Sequence, residues 1–177
     1  SFPTRRSSDL VVLVEGNFDK AAFSSEEEAI KYGREMGYAS FICKKKSIGV
    51  ESNDPPFEND KKFVEEKHGS NVKELYFSLR QFSPRTTDEE KEKIRILLRE
   101  ILNEDFDETK NYSKYFNPTL FVNQLNEITR ELNDFRDSYM IKKIKNLLEE
   151  NKRVFVIKGN YHLKTNMEKI REVVNGS

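Results

Sequence analysis

The sequence predicts an α/β fold, with a mixed central sheet, flanking helices and a long helical insertion. Two short apolar runs near the ends of the chain, Leu10-Val11-Val12-Leu13-Val14 and Val154-Phe155-Val156-Ile157, read as strands buried on both faces. Between about residues 59 and 150, apolar residues recur at helical spacing in a highly charged background. The 177 residues suffice for one domain with a real core, and 36% apolar against 35% charged residues suits broad solvated helix faces.

The elements follow in order. The first strand ends at Glu15-Gly16-Asn17, which leaves a carboxylate at its carboxyl end. Ser24-Ser25-Glu26-Glu27-Glu28 opens a helix with a serine followed by glutamate three residues later, and Gly37 is expected to stop it. Ala39-Ser40-Phe41-Ile42-Cys43 reads as a second strand or an exposed edge, and Ser47-Ile48-Gly49-Val50-Glu51 as a third strand, closed by Asp54-Pro55-Pro56. In the insertion, residues 71–82 form a helix ended by Pro84, and Thr87-Asp88-Glu89-Glu90 starts another. Asn117-Pro118 marks a boundary. The stripe Leu120, Val122, Leu125, Ile128, Leu132 and a further helix from about Asp134 complete the insertion. The strand at 153–158 runs into Gly159-Asn160-Tyr161-His162, and a final amphipathic helix carries Met167, Ile170, Val173 and Val174.

The first ten residues, Ser1-Phe2-Pro3-Thr4-Arg5-Arg6-Ser7-Ser8-Asp9-Leu10, read as the translation of a widely used sequencing adapter. A single α/β domain is then expected over 11–177, in a chain whose natural start lies upstream. Lys+Arg and Asp+Glu are both 31; without Arg5, Arg6 and Asp9 the balance is 29 to 30. No basic excess points to nucleic acid. The lone Cys43 excludes an internal disulfide and a cysteine-based zinc site. No apolar run is long enough to span a bilayer. The many aromatics of the insertion read as core or lid packing, and His68 as a helix-end residue.

In open α/β sheets, ligands bind beyond the carboxyl ends of the strands. Three such ends carry ionisable groups: Glu15, Glu51 and His162. Gly159 allows a sharp turn beside the imidazole, and Tyr161 lines a pocket or covers the sheet edge. A lone strand-end glutamate is more often a helix cap or salt-bridge partner; the combination of the three strand ends points to a site.

Arg136-Asp137-Ser138-Tyr139-Met140, an amphipathic stretch, then Val154-Phe155-Val156-Ile157-Lys158-Gly159-Asn160-Tyr161-His162-Leu163 resemble the C-terminal signature of the TraB/GumN/Tiki group. That group sits in a wider set with erythromycin-esterase-like and ChaN-like proteins. Val11-Val12-Leu13-Val14-Glu15-Gly16 and Ile48-Gly49-Val50-Glu51 resemble the family's upstream strand ends. The resemblance covers the two ends of the chain; residues 57–129 share only helical character. It implies a hydrolase of peptide or ester bonds, with His162, Glu15, Glu51 and Arg136 at the site and Gly159 and Tyr161 lining it. A divalent metal ion held by His162 and Glu15 would activate water, or His162 would act as general base oriented by a glutamate. Arg136 would hold an anionic group or an oxyanion, or pair with nearby acids. The substrate would be a small molecule or peptide. The alternative is a haem- or metal-binding regulatory module in which His162 and Tyr161 contact the ligand, and a blander one is an interaction protein using its helical insertion. The family's opening Gly-x-x-His or Gly-Glu-x-His element is absent here. The adapter accounts for this by placing it upstream, and the fragment alone is expected to be inactive.

Overall fold

The computed structural model describes residues 9–16, 18 and 22–176, with only the backbone of Asn160 and Tyr161. Residues 1–8 of the adapter-like string lie outside the described residues. Leu10–Val14 forms β1, the middle strand of a three-stranded sheet of order β2-β1-β3. Both flanking strands, β2 (Gly49–Ser52) and β3 (Arg153–Ile157), pair with it in parallel, so the expected mixed sheet is parallel in both described pairings. β1 therefore has a hydrogen-bonded neighbour on each side.

The strand pleat sends alternate residues to opposite faces. Val12 and Val14 pack with Cys43, Ala39 and Phe18 beneath α1 (Glu26–Lys45). Val11 and Leu13 pack on the other face with Met140, Ile144 and Leu147 of α5 (Gln124–Glu149) and with Ile170 and Val173 of α6 (Asn160–Asn175). Helices thus cover both faces of β1, which is why its sequence is a continuous apolar run.

Residues 39–43 are the main correction. They continue α1 and form no strand, and Gly37 does not end the helix. Gly37 sits on the buried stripe Ala29, Gly33, Gly37, Ser40, Cys43, where a Cβ would lie 2.8 Å from the Ala29 carbonyl oxygen and 3.1 Å from Phe23. The glycine serves close approach, and the Ser40 hydroxyl donates to the Phe18 carbonyl at 2.5 Å. The start is as expected: Ser25 accepts the Glu28 N–H at 3.1 Å, while the Glu28 carboxylate accepts from Ser24. Within α1, Arg34 has φ 48° and ψ −141°, a conformation that suits glycine. Arg34→Gly is therefore expected to stabilise the chain by about 1 kcal/mol, seen as a higher midpoint in thermal unfolding.

The chain divides into two compact units, residues 1–55 with 136–177, and 56–135. The second is a helical unit within the stretch of helices that runs from Phe57 to Glu149. It contains α2 (Phe57–His68), α3 (Ser70–Gln81), α4 (Asp88–Leu102), a 3-10 turn at Tyr112–Phe116 and the start of α5. Its core joins Leu75, Tyr76, Ile94, Leu98, Tyr115, Leu125, Ile128 and Leu132; Phe77, Phe82, Phe106, Tyr112 and Phe116 pack there too, as expected, while Phe121 is exposed. Thr87 and Glu90 cap α4 reciprocally, as the sequence suggested. The two helices expected around Leu132 and Asp134 are one, since no glycine or proline interrupts 124–149. His68 ends α2, with its Nε2 2.6 Å from Glu131. Among the described residues, no helix is long and apolar enough to cross a membrane.

Candidate functional site

Helix α1 leaves β1 on one face of the sheet, while α6 leaves the neighbouring β3 on the other. Such a switch between adjacent parallel strands is the place where open α/β sheets bind ligands. The loops after all three strands meet here through side chains. Glu15, after β1, accepts the Gly159 N–H at 2.9 Å, just before α6, where the helix dipole also favours a carboxylate. Asp54, after β2, accepts the Gly16 N–H at 2.9 Å. The buried Asn53 amide donates to the Ile157 carbonyl at 3.3 Å.

His162 lies in the first turn of α6, which begins directly after Gly159, and faces α5. Its Nδ1 is 2.9 Å from Asp137 Oδ1. Asn166, one turn along α6, donates to Asp137 Oδ2 at 2.7 Å and to the His162 carbonyl at 2.8 Å. Lys158, at the end of β3, has a side chain only 1% exposed, with its ammonium 3.1 Å from Asp54 and 3.6 Å from Asp137. Burial pushes the Asp137 carboxyl up, but the bonds from His162 and Asn166, with the charges of His162 and Lys158, outweigh it and hold the group below the ordinary aspartate range.

A depressed native value means that this stability is complete above the unfolded pKa, about 3.9, and is lost as pH falls through the native one. The urea midpoint of the wild-type chain should therefore fall more steeply between about pH 5 and pH 2 than that of Asp137→Asn.

Glu15 and His162 thus come to the same end of the sheet, with Gly159 between them in the contact network. Glu51 does not join them. It pairs with Leu13 inside the ladder, so its side chain faces α5, where Lys143 binds it at 2.8 Å. Arg136 is half-buried on α5, immediately before Asp137. The Tyr161 side chain lies outside the described residues. Asp137, Lys158, Asp54 and Asn166 were not singled out from the sequence. The available signals were a lysine closing an apolar strand, an aspartate just past β2, and an asparagine four residues after His162.

The donors fit a metal ion poorly. Glu15 Oε2 is taken by the Gly159 N–H, and among the described residues no three His, Cys, Asp or Glu side chains form a group that could hold a metal ion. No step is therefore assigned to a metal. On the insertion, Leu120, Phe121 and Val122 are consecutive exposed apolar residues, with the Arg130 guanidinium 4.1 Å from the Phe121 ring centre. Comparisons with protein-family models, curated proteins and solved structures find no match to this chain.

Proposed function

We propose that the chain carries part of the active site of a TraB/GumN/Tiki-type hydrolase, acting on a peptide or ester bond, with His162 as general base. The observation that supports this reading is the bond between His162 Nδ1 and the buried Asp137 carboxylate, at the carboxyl end of a parallel sheet. An ionised carboxylate only accepts, so Nδ1 keeps its proton and Nε2 is the basic nitrogen of the neutral ring. Water attacks the substrate carbonyl carbon as its proton passes to Nε2. The imidazolium then returns the proton to the leaving nitrogen or oxygen as its bond to carbon breaks. Asp137 orients the ring and stabilises the imidazolium. Arg136 adds positive charge for an anionic substrate group or the developing oxyanion.

The product of the complete gene, assayed on fluorescein-labelled casein and p-nitrophenyl acetate, tests this. His162→Ala should lower kcat/KM by about 10²–10⁴-fold with an unchanged circular dichroism spectrum. Wild-type rates in His162→Ala would overturn the reading. Loss on chelation, restored by a divalent ion, would move His162 from base to ligand, because a carboxylate-bound imidazole suits both roles.

A further inference from the structure

We propose that Lys158 is a positioning residue that ties Glu15 and His162 into one frame. The contacts form a closed ring. The Glu15 carboxylate holds the Gly159 N–H, and Gly159 directly follows Lys158. The Lys158 ammonium holds Asp54, and Asp54 holds the N–H of Gly16, which directly follows Glu15. All three strand ends belong to the ring, and Lys158 closes it from within the core.

The same ammonium reaches out of the ring to Asp137, 3.6 Å away, and Asp137 carries the imidazole. The lysine therefore keeps two carboxylates apart that would otherwise repel each other in a poorly solvated place. It also anchors Asp137 where the carboxylate can accept from the imidazole, the contact that obliges His162 to keep its proton on Nδ1. A lysine that only filled space would be replaced by methionine, similarly long and unbranched, without effect on the imidazole.

The functional weight of this frame rests on the reading of His162 as the proton-handling group, but its test does not require turnover. Long-range proton–nitrogen spectra of the 177-residue chain at about pH 9, above the ordinary imidazole range, report which ring nitrogen carries the proton. The wild-type chain should show His162 with the proton on Nδ1. Lys158→Met should lose that tautomer as the dominant form, and Lys158→Arg should keep it. If Lys158→Met does not fold, Lys158→Met with Asp54→Asn removes one carboxylate together with the amine, and the same loss is expected. A folded Lys158→Met or double variant that keeps the wild-type tautomer overturns the inference, whatever His162→Ala does to hydrolysis. Conversely, wild-type hydrolysis by His162→Ala would sink the functional reading and leave the tautomer result standing.

Discussion

Lys158→Met is expected to lower the stability of the chain by about 3–5 kcal/mol. The side chain is 1% exposed and its ammonium has two carboxylate partners, Asp54 and Asp137. Removing one member of a buried ionic group leaves the others desolvated and uncompensated, which costs more than the intact group contributes. Here the remaining pair are like charges, so Asp54 and Asp137 would have to repel or take up a proton. Asp54 would also be less firmly held against the Gly16 N–H, and Asp137 against His162 and Asn166. Adding Asp54→Asn to Lys158→Met should recover part of the loss. Urea unfolding followed by circular dichroism reads both; a cost below about 1 kcal/mol for Lys158→Met would show that the amine is dispensable.

Leu13→Ala is expected to cost about 2–5 kcal/mol. Leu13 is fully buried at the centre of β1, packed among Met140, Ile144 and Val156. Its neighbours belong to two helices and two strands, so the cavity cannot close by moving one side chain, which places the cost toward the upper part of that range. Leu13→Met keeps the volume and should cost under about 1.5 kcal/mol. Equal effects of the two substitutions in urea unfolding would contradict the packing described for this face.

Much of the sheet was legible because burial on both faces writes itself into a strand as a continuous apolar run. This held for β1; β3 carries the same kind of run, but among the described residues it pairs only with β1 and leaves Phe155 59% exposed, so the expected burial on both faces is not met there. Residues 39–43 misled because Phe41-Ile42-Cys43 and a preceding glycine look like a strand after a stop. The close approach of Phe23 to Gly33 and Gly37, which explains those glycines within a helix, is tertiary. The single helix over 124–149 was read as two because its apolar stripe passes from one core to another.

At the site, Glu15 and His162 stood out by position at strand ends. Glu51 carried the same local signal, yet ladder register puts it opposite Leu13, one residue before the β2 end, where Lys143 takes it. Asp137, Lys158 and Asp54 were missed for the opposite reason. Each is an ordinary charged residue locally, and only contacts across 104 residues for Asp54–Lys158, or 25 for Asp137–His162, make them a network.

The central claim is that His162 and Asp137 act as one proton-handling unit. It is tested most directly by hydrolysis of p-nitrophenyl acetate and labelled casein by the complete gene product. His162→Ala, Asp137→Asn and the double variant would be compared under one set of conditions. Residues that work as a unit are strongly non-additive. The double variant should therefore be no slower than His162→Ala alone, with each single variant down about 10²-fold or more. Losses that multiply, or wild-type rates in either single variant, would contradict the claim.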